Sequence, residues 1–206
     1  PRKLWEQQLS PVLFAAPVLG RIGGQQRIFV AAHQRTLVSL RTDTGAVEWH
    51  GELSKTLFAS PLGADLNADG NTDLITVAAD GEVRAYNGDS GDLLWRQQLG
   101  ADIQADSLLF DFDLDGSADL LALDTAGSLH LISGRWGDRL MESVRKAESF
   151  VSTPLLADID GDGRVEVVLL SNAGELIVLA SNRRLRSPRQ QWPVVMGNDQ
   201  HGYLHE

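Results

Sequence analysis

The sequence predicts an all-β chain folded as a β-propeller of about four four-stranded antiparallel blades, and three observations predict it. Acidic loops begin at Asp65, Asp111 and Asp158, at spacings of 46 and 47 residues. Trp5, Trp49 and Trp95 recur at 44 and 46, and the turn glycines Gly45, Gly91 and Gly137 recur at 46 and 46. The unit over 57–99 also holds four short runs of leucine, β-branched and aromatic residues, parted by Gly, Asp and Asn turns and free of any convincing 3.6-residue periodicity. A repeat of this length with four strands is the size of one propeller blade.

Residues 57–99 give the unit in full. A first strand is expected over 57–62 (LFASPL), followed by the acidic loop 65–73 and a second strand over 74–77 (LITV). A tight turn at Asp80-Gly81 leads into 82–86 (EVRAY), and a second turn at Asp89-Ser90-Gly91 leads into 93–99 (LLWRQQL). The other units run over 13–53, 104–145 and 150–181. Gly127 and Gly174 match the hairpin glycine Gly81, whereas the first unit has Gln34-Arg35 there, so that turn is expected to differ. The fourth unit lacks a good last strand, because after 176–180 (LIVLA) the chain passes into SNRRLRSPRQQWP. Residues 3–9 (KLWEQQL) closely match 93–99, so they are expected to act as a closing outer strand that leaves no raw sheet edge. The propeller then spans 1–190, with a C-terminal tail over 191–206. Four units leave three architectures open: a small closed ring, half of a dimeric ring, or the C-terminal part of a larger propeller.

Composition narrows the function. At 206 residues, with 43% hydrophobic and 22% charged residues, the chain can bury a real core. No stretch approaches the ~20 apolar residues of a membrane-spanning helix. The chain opens on Pro1 with no leader-like region, so it is expected to be processed or excised. The absence of cysteine excludes thiol catalysis, zinc–thiolate sites and disulfides. A net charge of −10 argues against a nucleic-acid partner, which would need a basic face. Eleven of the 28 carboxylates lie inside the three nine-residue loops, which points to cation sites rather than a solvated face.

The loops share the spacing D-x-[DN]-x-D-G-x-x-[DE]. Alternate oxygens converge on one centre when backbone wraps an ion, glycine at position six allows the bend, and the acid at position nine can close the shell. Hard oxygen ligands in that number favour Ca²⁺. The first site is assigned Asp65, Asn67, Asp69 and Asp73, with the carbonyl of Asn71. The second takes Asp111, Asp113, Asp115 and Asp119, with the carbonyl of Ser117. The third takes Asp158, Asp160, Asp162 and Glu166, with the carbonyl of Arg164. An EF-hand would need Glu at position twelve, where Thr76, Ala122 and Leu169 stand, and a helix where a strand follows. The first unit has only 21–27 (RIGGQQR) in place of a loop, so no metal is expected there.

With its strand–loop–strand unit and DxDxDGxxD loop, the chain resembles the FG-GAP/VCBS repeats of integrin-α-like propellers. The resemblance covers 57–181 well and 13–53 by period alone. It implies calcium that stiffens the loop between the first two strands of a blade, partners at the propeller face or rim, and no catalytic residues. The turns 43–49 (DTGAVEW) and 89–95 (DSGDLLW) resemble quinoprotein-type (PQQ-like) blades, in which tryptophan docks one blade on the next. The tail 190–201 (QQWPVVMGNDQH) looks like a segment that flanks bacterial propellers of both kinds.

Gly88-Asp-Ser-Gly91 and His33 resemble protease segments, but Ser90 and Gly91 stand in register with Thr44 and Gly45, so the repeat already explains them. Trp136 and Trp192 fall outside the tryptophan register and are the better candidates for an exposed contact. The expected function is a non-enzymatic, extracytoplasmic and bacterial interaction module. Ca²⁺ at three sites would rigidify it, and it would present a face to a protein or glycan partner in adhesion or recognition, with a homodimer as one possible form. The alternatives are an accessory or partial propeller of a quinoprotein-like or polysaccharide-acting enzyme, and an envelope assembly scaffold.

Overall fold

The computed structural model describes residues 2–9, 15–32, 35–53, 55, 57, 59–141, 144–145, 149–150 and 152–184. The tail 191–206, with Trp192, and the protease-like His33 lie outside the described residues. No helix occurs among the described residues, and every pair of neighbouring strands is antiparallel.

The strands form four separate sheets, each in chain order. The first holds β1 (Val18–Ile22), β2 (Gln25–Ala32), β3 (Thr36–Arg41) and β4 (Val47–Glu52). The second holds β5 (Leu62–Ala64), β6 (Asp73–Val77), β7 (Glu82–Tyr86) and β8 (Leu93–Gln98). The third holds β9 (Leu108–Phe110), β10 (Asp119–Leu123), β11 (Ser128–Ile132) and β12 (Val144–Arg145). The fourth holds three strands, β13 (Leu155–Ala157), β14 (Arg164–Leu170) and β15 (Leu176–Arg184). Four meander sheets in sequence are the blades of a propeller.

Blade-on-blade packing buries both faces of the second strand in the second and third sheets. Asp73–Val77 and Asp119–Leu123 are buried at every position. Phe29, Leu37, Leu74 and Tyr86 form the core between the first and second sheets. Ile75, Val77, Leu120 and Ile132 join the second to the third, and Phe110, Leu121, Val167 and Leu169 join the third to the fourth. Among the described residues no hydrophobic core joins the fourth sheet to the first, so the four blades form an arc.

Two details depart from the sequence reading. The first strand of the second blade is Leu62–Ala64 rather than 57–62, because Pro61 has no N–H for a ladder. Leu57 still enters the core, 5% exposed. In the first blade Arg35 itself takes the left-handed conformation (φ 63°) that Gly81, Gly127 and Gly174 take elsewhere. Its carbonyl accepts from Leu53 N–H at 2.7 Å, just as the Gly81 carbonyl accepts from Leu99 at 2.8 Å. That turn therefore keeps the common geometry despite its different residues.

Candidate metal centres

Each acidic loop joins the first and second strands of its blade, and one hydrogen-bond scheme recurs in all three. The carboxylate at position one accepts from the N–H at position six: Asp65 from Gly70 (2.9 Å), Asp111 from Gly116 (3.2 Å) and Asp158 from Gly163 (2.9 Å). Position three accepts from position five, through Asn67, Asp113 and Asp160 (2.9, 3.0 and 3.1 Å). Position five accepts from position seven, where Asp69, Asp115 and Asp162 receive the N–H of Asn71, Ser117 and Arg164 (2.7, 2.7 and 2.8 Å). Position nine accepts from position two, where Asp73, Asp119 and Glu166 receive the N–H of Leu66, Phe112 and Ile159 (3.1, 2.7 and 2.8 Å). The scheme requires left-handed backbone at positions four and six. Ala68, Leu114 and Gly161 supply the first at φ 63°, 66° and 77°, and Gly70, Gly116 and Gly163 the second at 83°, 96° and 81°.

The loops differ in which oxygens they gather. In the second loop Asp111, Asp113 and Asp115 bring carboxylate oxygens within 4.8 Å of one another, and in the third Asp158, Asp160 and Glu166 do so. In the first, an amide stands where the second and third loops have a carboxylate, and Asn67 Nδ2 donates to Asp69 Oδ2 at 2.9 Å. Clustered carboxylates repel strongly, and backbone N–H groups offset that repulsion only in part. A hard divalent cation fits the donor sets of the second and third loops best. The first blade has no acidic loop: Gly23 and Gly24, at φ 56° and 78°, close a tight turn, and Gly23 N–H donates to Asn71 Oδ1 at 2.8 Å.

The acid at position nine has a second task that the spacing does not reveal. Asp73 and Asp119 are buried at 0% exposure, and each also accepts from a glycine in the turn between the third and fourth strands. Gly88 N–H reaches Asp73 Oδ1 at 3.0 Å, and Gly134 N–H reaches Asp119 Oδ1 at 3.2 Å. Burial, aided by the charges of Asp69 and Asp65, pushes Asp73 up to about 6 although backbone donors act the other way. Burial, aided by the charge of Asp113, likewise pushes Asp119 up to about 6.

The same two glycines receive the docking tryptophans. Trp49 Nε1–H donates to the Gly88 carbonyl at 2.9 Å, and Trp95 Nε1–H to the Gly134 carbonyl at 2.8 Å. Trp5 repeats the contact on the Thr42 carbonyl at 2.7 Å. Each indole packs against a left-handed glycine, Trp5 on Gly45, Trp49 on Gly91 and Trp95 on Gly137. Acidic loop and blade docking therefore meet at one residue in the second blade and one in the third. The spacing of 46 between Gly88 and Gly134 is the signal that could have found them.

Trp136 lies in the turn where the other blades place Thr44 and Ser90, and it is 65% exposed. Arg135 stacks 5.1 Å from its ring centre, and both line a shallow cavity with Asn67, Leu94 and Trp95.

Residues 2–203 match the family described as outer membrane protein assembly factor BamB. BamB from Moraxella catarrhalis superposes with a TM-score of 0.60 at 18% identity, covering 88% of this chain and 55% of that one. The computationally designed Ika4 protein gives 0.61 at 14% identity, over 87% and 98% of the two chains. Quinohemoprotein alcohol dehydrogenase from Comamonas testosteroni gives 0.57 at 13%, over 83% and 35%. The chain thus spans about half the length of the BamB it matches. No curated protein matches it. Of the two resemblances carried by the sequence, the match supports the quinoprotein-type one, while the FG-GAP/VCBS likeness rests on the loop motif alone. The chain belongs to the outer membrane protein assembly factor BamB family of β-propellers.

Proposed function

We propose that this chain is a non-enzymatic, protein-binding propeller module of the bacterial envelope that serves assembly at the outer membrane. The family match over residues 2–203 carries this reading. It favours the assembly scaffold over the adhesin that the acidic loops suggest by themselves. Ca²⁺ in the three loops is part of the same proposal, with the ions as scaffold rather than reagents, and the loop–glycine–tryptophan junctions support that role. A protein partner would contact the propeller face or rim, and the exposed Trp136 beside Arg135 offers one anchor for it. A glycan partner in an adhesive role would use the same indole.

The test is affinity capture from detergent-solubilised bacterial envelopes with the chain held in Ca²⁺. Enrichment of outer-membrane assembly proteins, reduced at least tenfold by Trp136→Ala with Arg135→Glu, is the expected outcome. A quinoprotein-like module is the second reading, favoured by the likeness to the quinohemoprotein alcohol dehydrogenase and by the tryptophan docking. Absorbance changes on titrating the chain with PQQ, with no envelope protein enriched, would support that reading and overturn the first.

A further inference from the structure

The turn between the third and fourth strands of a blade repeats as Asp43-Thr44-Gly45 and Asp89-Ser90-Gly91, and then, 46 residues further on, becomes Arg135-Trp136-Gly137. Two blades therefore carry a carboxylate and a hydroxyl at this turn, and the third carries a guanidinium and an indole. The bulged residue ahead of the docking tryptophan differs as well, Glu48 in β4 and Leu94 in β8. Nothing inside the fold accounts for the exchange. Trp136 is 65% exposed and Leu94 38%, so the core holds neither of them.

These residues meet in a site whose frame is fixed. Trp95 is held by its bond to the Gly134 carbonyl, Gly137 N–H closes the turn on the Ser133 carbonyl at 2.9 Å, and Trp136 N–H donates to Ser133 Oγ at 3.3 Å. A cavity of about 270 Å³ opens between Leu94, Trp95 and Trp136, bordered by Asn67 and Arg135. It has room for one large apolar side chain. Arg135 lies 5.1 Å from the centre of the Trp136 ring, and no carboxylate among the described residues pairs with it. The acids of the adjoining loop hold their own backbone, Asp65 the N–H of Gly70 and Asp69 that of Asn71. A guanidinium set against an indole keeps its N–H fork for a carboxylate. Asn67 gives one amide N–H to Asp69 and retains the other for a backbone carbonyl.

We propose that this junction of the second and third blades binds an extended acidic segment of a partner protein, one apolar side chain of which fills the cavity while an adjacent Asp or Glu pairs with Arg135. The inference rests on the protein-binding reading above and gives that partner a chemistry. Charge complementarity selects the occupant. An arginine without an acid partner stands out in a chain of net charge −10, so an acidic segment is drawn to this turn and repelled by the carboxylates of the corresponding ones. The apolar walls select the residue beside the acid, as a buried anchor in a pocket does at other interfaces. An anionic lipid surface would meet one cation against that same net charge, which disfavours it as the occupant.

Selection of a phage-displayed random heptapeptide library on the whole chain is the test. The expected consensus places Asp or Glu next to Leu, Phe or Trp. A synthetic, capped copy of the selected sequence should change the tryptophan emission of the chain on binding. Its affinity should fall at least tenfold when its acid is replaced by the amide, or when the chain carries Arg135→Gln or Trp136→Ala. Both substitutions lie at turn side chains outside the cores and should leave far-ultraviolet circular dichroism unchanged. A consensus without an acid, no consensus, or an affinity indifferent to Arg135→Gln would overturn the proposal. So would retention on phosphatidylglycerol vesicles, abolished by Arg135→Gln, in place of peptide binding. Acidic peptides that bind while no outer-membrane assembly protein is captured from envelopes would support this site and remove the assembly reading.

Discussion

Asp73 and Asp119 face two ways, holding the backbone of their own loop and the glycine of a neighbouring turn. Their folded-state pKa of about 6 lies above the ordinary carboxyl value near 4, so the folded, cation-free chain holds protons that the unfolded chain releases. The stability they contribute is fully present below about pH 4 and is lost as pH rises through about 6. Asp43, held at about 2 chiefly by its hydrogen bond from Arg41, changes only below that window. Cation-free chain should therefore melt at a higher temperature at pH 5 than at pH 7.5. Saturating Ca²⁺, which favours the ionised carboxylates, should flatten or reverse that trend. Equal cation-free melting temperatures at the two pH values would remove this assignment. The spacing of the loop residues was legible in the sequence. The second bond of Asp73 and Asp119 was not, because it depends on a turn fifteen residues away that only the folded sheet brings close.

At the scale of the element, the blade repeats because one tryptophan and one glycine fit each other. Ladder register slips immediately before Trp49 and before Trp95, where Glu48 and Leu94 are bulged out. A bulge re-aims the side chain that follows it, and here it lays the indole onto the next blade. The Trp and Gly periods announced this docking, but the bulge could not be read from a leucine-rich run. The start of β5 was likewise hidden, since 57–62 has strand composition and only the lack of a donor at Pro61 delays pairing. An alanine Cβ at Gly137 would stand 2.7 Å from the ring of Trp95, on a residue at φ 75°. Left-handed strain and overpacking together make Gly137→Ala cost about 2–4 kcal/mol, with red-shifted tryptophan emission. Gly70→Ala has φ 83° but nothing within 4 Å of its Cβ, so about 1 kcal/mol of strain is expected there and no emission change. Equal losses in chemical denaturation would show that the indole contact contributes nothing beyond backbone strain.

For the whole molecule, the period foretold four blades and the all-β class, while the arc they form depends on which sheet faces find partners. Leucine and valine at 155, 168, 170, 176 and 178 look in sequence like any other strand residues, and only their register on one unpaired face sets them apart. Each acidic loop sends one side chain into a core, Leu66, Phe112 and Val165, and two of the loops are also tied through Gly88 and Gly134 to the tryptophans that join blade to blade. Cation binding should therefore stabilise the propeller as a unit rather than the loops alone. Thermal unfolding followed by tryptophan fluorescence, with millimolar Ca²⁺ and then with EDTA, tests this most directly. The melting temperature should fall by several degrees in EDTA while the emission of the native state shifts to the red. An identical melting curve and emission maximum in both conditions would show that the loops hold no cation that matters to the fold.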